Sequence, residues 1–435
     1  MFGNFAFIFM NGIMFELLAD KVNSHKIDAQ SPMITAFRVE IAEFGDLLAW
    51  LKAQNMFPQY YLNFRDSERR VAALGKVRSF SNEIAAQRFI TTTEYPLIGG
   101  LTFDKQSHFW LPRLLIEQES KQVSISVFVD NQVDLMQEKR AALNVIETLQ
   151  NFTALEPLNL GVQLLEQKAN QQEWCGWVEK ALQAIKTGEF TKVVLANETH
   201  FISEYPINAK DFLAESEKQN TGCYHFLYAE NAESTFVGST PERLFQRQGS
   251  LVKTEALAGT ALMSDDAQQN QEQADWLLHD QKNDDENLLV VKDICDNLQA
   301  FVSDIQVGDV ELKQLRRVQH LRRRIQAELK APFADAACLQ AIHPTAAVSG
   351  LPQQSALAFL QNTENFDRTW YAGTLGMMTK NQGEFCVTIR CAFIERNKIR
   401  IFAGAGIVAG SVPLLEWQEI ERKASGLVTL LNTGK

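Results

Sequence analysis

FCVTIRCAFIERNKIRIFAGAGIVAGSVPLLEWQEIERKASGLVTLL, residues 385–431, reads as strand, strand, glycine-rich passage and helix, in that order. The strands are placed at Phe385 to Phe393 and Ile399 to Ala403, and the helix from Leu414 to Leu431. Working backwards, β-like runs recur at Arg243 to Arg247, Ser234 to Val237, Tyr224 to Tyr228 and Lys192 to Ala196, the last a β-branched run typical of a buried strand. Helical patterns are expected at Trp174 to Thr187, Asp266 to Phe301 and Val310 to Leu329. Hairpins clustered apart from long helices, without strict β-α alternation, predict an α+β chain with largely antiparallel sheets. Nearer the N-terminus, short strands (Tyr60 to Phe64, Gln122 to Val129) mix with helices at Phe44 to Ala53 and Met136 to Phe152. No repeat, low-complexity linker or Pro/Gly/Ser spacer interrupts the 435 residues, which predicts one continuous domain over 1–435.

A hydrophobic fraction of 46% with 22% charged residues is that of a globular chain. The net charge of −11 argues against a nucleic-acid partner, which needs Lys and Arg in excess. The one basic run, Arg316, Arg317, Arg322, Arg323 and Arg324, is read as the solvated face of a helix. Phe2 to Ala19 is apolar, but it has no leading basic residue and is broken by Asn11, Gly12 and Glu16, so neither a signal peptide nor a spanning helix is expected. No membrane association is anticipated, a cytoplasmic location is, and either Met1 or Met14 could start the chain. Six cysteines lie far apart without a C-x-x-C, and the histidines are scattered, so any metal should be a hard cation held by carboxylates.

Five places could carry chemistry. In the last helix Glu416, Glu419 and Lys423 share a face, while Trp417, Ile420, Ala424 and Leu427 form the stripe that packs. An ordinary exposed Glu/Lys pair explains the spacing equally well. Upstream, Asn283, Glu286, Asn287 and Val290 share another face, with Leu288, Leu289 and Ile294 expected toward the core. If Glu286 met Glu419 in space, the two carboxylates would suit octahedral Mg2+. Lys192 heads its strand on the same side as Val194 and Ala196; it is either a strand-edge lysine or, in a desolvated pocket, a general base. Glu242 follows Pro241 at a corner and is either a salt-bridge partner or a carboxylic acid of raised pKa. The passage Ala403 to Gly410 fails the G-x-G-x-x-G spacing of a dinucleotide site, but glycines there would let backbone N–H groups approach a carboxylate.

Taken together, KVVLA (192–196), STPERL (239–244), TEALAGTA (254–261), VQHL (318–321), HPTAAVSGLP (343–352), YAGTLG (371–376), TIR (388–390) and GAGIVAGSVPLLEWQEIERKA (404–424) resemble the chorismate-utilising enzymes, the family of anthranilate, aminodeoxychorismate, salicylate and isochorismate synthases. The matches run in family order over about 185–430, whereas 1 to about 150 match loosely. The resemblance implies two large antiparallel sheets around a central cleft, with helices outside. Within it, Lys192 resembles the water-activating lysine of isochorismate and salicylate synthases, Ala258 stands where aminodeoxychorismate synthases carry a lysine, and Ala347 stands where lyase-competent members carry threonine. These choices imply isochorismate synthesis from chorismate with Mg2+ and no glutaminase subunit. Residues 50–66 and the tail 416–424 look most like the menaquinone-pathway type. A salicylate or anthranilate synthase, or a silent chorismate sensor, are the alternatives.

The roles so implied are Lys192 as base and Glu242 as acid. Mg2+ would lie on Glu286 and Glu419, with Glu416 assisting through water. Arg390, Tyr371 and the backbone near Gly404 would hold the enolpyruvyl carboxylate, and Lys423 and His320 would stand near the ring carboxylate. Thr260 and Ala347 complete the substrate surroundings, and Asn287 departs from a histidine common in the family.

Overall fold

The computed structural model describes residues 2–432 apart from 121 and 333. Among them, 19 strands join into one hydrogen-bonded network in which every pairing between strands is antiparallel. The expected α+β class holds. The network has two wings that share the long strand Ser107–Glu119, which pairs along one side with Arg69–Phe80 and along the other with Leu97–Leu101 and then Gln122–Asp130. One wing continues to Lys192–Ser203 and Lys398–Val408. The other reaches Leu251–Leu262 and the hairpin Val302–Gln314 and Val318–Leu329. Hydrogen bonding thus makes continuous what the resemblance describes as two sheets.

Alternation along the strands sorts side chains between two cores. Val193, Leu195, Ile401, Ala403, Ala405 and Ile407 point outward into one, beneath the helices Gln171–Thr187 and Pro413–Val428. Ala196 and Phe402, on the opposite faces of the same strands, belong to the second core, with Tyr60, Phe226 and Phe245. Lys192 therefore points inward with Val194 and Ala196.

Several expectations are corrected. Val310 to Leu329 is a hairpin, not a helix. Leu321, Ile325 and Leu329 repeat every four residues, which fits a helix and is also a multiple of the strand period of two. The basic run accordingly occupies a strand and its turn. Arg322 and Arg324 bond Glu311 on the paired strand, and Arg323 bonds Asp284 and Asn287 on a helix. Asp266 to Phe301 divides into Ala267–His279 and Gln281–Leu298 because the Asp280 side chain caps the second helix through the Asn283 N–H. In that helix Asn287, Val290 and Ile294 are buried whereas Leu288 is exposed, so the face carrying Asn283 and Glu286 is the one turned to the sheet. Phe385 to Phe393 breaks at 388–390, and the strand expected to end at Ala403 runs on to Val408, taking Gly404 and Gly406 into the sheet.

Far from the cleft, Arg247 and Asp335 form a fully buried pair, Nε to Oδ1 at 2.7 Å and Nη2 to Oδ2 at 2.6 Å. Gly383 lies against it, since a Cβ there would stand 2.2 Å from Asp335 Oδ1. Asp335→Ala strands the guanidinium and should lower the unfolding free energy by about 3–5 kcal/mol in urea titrations. An unchanged urea midpoint would show that Arg247 finds other partners.

Candidate active site

A cavity of about 480 Å³ lies between the wings. All the residues singled out from sequence line it: Lys192, Glu242, Thr260, Glu286, His320, Ala347, Tyr371, Arg390, Gly404, Glu416, Glu419 and Lys423. Strand alternation delivers Lys192, and the helix Gln281–Leu298 delivers Glu286 to it. Lys192 is only 1% exposed, and its Nζ stands 3.0 Å from Glu286 Oε1. It is therefore no strand-edge lysine. Gly406 makes the meeting possible, because a Cβ there would lie 2.8 Å from that same Glu286 oxygen. Gly404 does likewise for Tyr371, whose hydroxyl would be 2.6 Å from an added Cβ and whose ring stacks on Phe402. The glycines thus act first as empty volume on the inward face of a strand. The Gly404 carbonyl accepts from Lys423 Nζ at 2.8 Å instead of serving the ladder, and alternation turns the Gly404 N–H to the same edge.

Glu242 sits at the corner between Thr235–Thr240 and Arg243–Gln248, its N–H on Thr240 Oγ1 and its carbonyl accepting from Val387. Its carboxyl has no ion pair among the described residues; the neighbouring Arg65 is taken by Glu255 in a bidentate bridge at 2.6 and 3.0 Å. Burial, and then the Glu255 charge, push the Glu242 carboxyl up to about 8, against the pull of Lys192, Arg65 and Arg390. A corner salt bridge is excluded by this geometry.

Three carboxylates crowd the opposite wall. Burial, then Glu419 and Glu286, raise Glu416 to about 7. Burial also raises Glu419, but Lys423 at 2.7 Å outweighs it and holds that carboxyl below its ordinary value. Lys282 and Arg422 line the same wall and were not anticipated. Lys282 lies four residues before Glu286, so helical spacing alone could have found it. No three His, Cys, Asp or Glu side chains form a preassembled metal group among the described residues. The donor set nevertheless suits a hard divalent ion, because Mg2+ keeps several waters and takes only one or two carboxylates directly.

Arg390 has a left-handed backbone (φ 50°) at the strand break and brings a half-buried guanidinium into the cleft without a carboxylate partner among the described residues. It donates to His320 Nε2 at 2.9 Å. An arginine can only donate, so Nε2 carries the lone pair, and Nδ1 carries the proton that Thr260 Oγ1 accepts at 3.0 Å. Burial, then Arg390 and Lys423, hold His320 well below its usual pKa. The His320 ring should be the neutral Nδ1–H tautomer at neutral pH, which nitrogen-15 NMR reads directly; a protonated ring there would contradict the arrangement.

Asn287 is buried. It donates to the carbonyls of Ala256, Ala258 and Leu321 and accepts from Arg323, fastening the Glu286 helix to two strands.

Comparison with known proteins gives the same picture. The isochorismate synthase MenF of Haemophilus influenzae is 56% identical over 398 residues, covering 91% of each chain. That of Escherichia coli is 39% identical over 412 residues, covering 93% of each. The solved structure of MenF, the menaquinone-specific isochorismate synthase from Escherichia coli, superposes with a TM-score of 0.91 at 37% identity, over 97% of this chain and 99% of that one. The model of the chorismate binding enzyme family matches residues 98–432, and the chain belongs to that family.

Proposed function

We propose that this chain is an isochorismate synthase of the menaquinone-specific type, converting chorismate to isochorismate. The observation that carries this reading is a buried lysine and a buried carboxyl of raised pKa facing one cleft. Water attacks C2 of the ring as Lys192 accepts its proton. The double bonds shift, and the C4 hydroxyl leaves as water with the proton of Glu242. One water enters and one departs, so no redox cofactor is needed. To accept that proton Lys192 must leave Glu286 Oε1 as the neutral amine, and Glu242 must be protonated, which its burial and the neighbouring Glu255 charge favour at neutral pH.

Arg390 is suited to a substrate carboxylate, because its planar fork matches one bidentately and lacks such a partner otherwise. His320, held neutral between Thr260 and Arg390, orients that fork. Tyr371 and the edge at Gly404 complete the carboxylate's surroundings, and Lys423 stands on the ring-carboxylate side. Glu286 and Glu419 would hold Mg2+, with Glu416 through water, and the ion would neutralise the substrate's ring carboxylate. Ala347 leaves space where a hydroxyl would assist loss of pyruvate. The wing strands drawn from 1–150 and from 185–430 join one network, which supports reading 1–435 as one chorismate-binding domain.

Purified protein incubated with chorismate and Mg2+ should yield isochorismate without pyruvate or any need for ammonia. Salicylate with pyruvate, or no turnover, would refute the assignment. Lys192→Ala and Glu242→Gln should each lower kcat by about 10²–10⁴-fold while keeping the fold. Because Glu242 is protonated only below about 8, kcat/KM should fall as pH rises through that value; a flat alkaline profile would remove Glu242 as the acid. Glu419→Gln should shift the Mg2+ titration to higher concentrations, and an unaltered titration would take Glu419 out of the metal site.

A further inference from the structure

A second cavity, of about 350 Å³, lies farther along the strands Leu251–Leu262 and Val318–Leu329 and shares no lining residue with the cleft. Six cations surround it: Arg65, Arg243, Lys253, Lys313, Arg322 and Arg324. The carboxylates among them are fewer and already engaged. Glu255 holds Arg65, Asp66 is shared between Arg65 at 3.0 Å and Arg243 at 3.5 Å, and Glu311 is divided between Arg322 and Arg324. Lys253 and Lys313 have no ion pair among the described residues. Burial, and then the Arg65 charge, depress the Lys313 ammonium, as expected of a cation facing other cations. Such a concentration of positive charge in a concave wall, on a chain of net charge −11, focuses the local field and attracts anions. Arginine forks supply the geometry that phosphate and carboxylate oxygens accept.

We propose that this cavity is a second anion-binding site, separate from the chorismate cleft, for a small molecule bearing two or more phosphate or carboxylate groups. Its position ties it to the chemistry. Arg65 also donates to the carbonyl of Pro241, the residue before Glu242, and Glu255 accepts from the N–H of Arg243, the residue after it. A ligand that draws Arg65 away from Glu255 acts on the corner that carries the acid.

The test is calorimetric titration of the full chain at low ionic strength without Mg2+, using pyrophosphate and citrate separately. Saturable one-site binding of at least one is expected, weakened about tenfold or more in Lys253→Gln/Lys313→Gln and in Arg324→Gln. It should be unchanged in Lys192→Ala. Pyrophosphate alone binding identifies a phosphate-bearing ligand, citrate alone a polycarboxylate, and both a site that reads charge. Absence of saturable binding, binding that survives both sets of substitutions, or displacement by chorismate in one-to-one competition would each overturn the proposal.

Discussion

Burying an ammonium costs several kcal/mol unless a carboxylate of good geometry meets it, and Lys192 is buried on the inward face of a central strand. Much of the surrounding architecture follows from supplying that carboxylate. Glu286 must reach the strand from a helix, so the helix has to lie close, and its Asn287 spends its amide on three strand carbonyls to keep it there. Arg323 closes the arrangement by binding both Asn287 and Asp284. The neighbouring strand must in turn present no side chain at the contact, which is what Gly406 provides.

A similar economy governs the rest of the cleft. Its charges are matched in part by the protein and in part left for a ligand. Among the described residues Lys192 and Lys423 each have a carboxylate, whereas Arg390 has only a neutral imidazole, and Glu242 has no cation in bonding contact. An unmatched Arg390 guanidinium is costly to hold, and an anionic substrate would relieve it, while Glu242 escapes the cost by staying protonated. This is how binding energy comes to be concentrated at the reacting groups.

The sequence disclosed the α+β class and the cleft residues because the motifs around them are ordered and the strand alternation at Lys192 is unambiguous. It misled where two periods coincide. Leu321, Ile325 and Leu329 fit a helix, and only the partnering of Arg322 with Glu311 across a ladder decides for a strand. Leu288 was placed inward because it is apolar, yet the polar face with Asn287 is the buried one, since its amide is consumed by backbone carbonyls that no local pattern reveals. The function of Gly404 and Gly406 as vacant volume was likewise invisible, because it depends on Tyr371 and Glu286 arriving from distant parts of the chain. The second basic cavity escaped notice for the same reason: its cations come from residues 65, 243, 253, 313, 322 and 324.

The strand Ser107–Glu119 belongs to both wings, bonded to Arg69–Phe80 on one side and to Leu97–Leu101 and Gln122–Asp130 on the other. Two halves joined by a common ladder cannot be pulled away from each other without breaking its backbone hydrogen bonds. A molecule entering the cavity would pass the exposed side chains of Val412 and Leu415 on its rim, where the helix Pro413–Val428 begins.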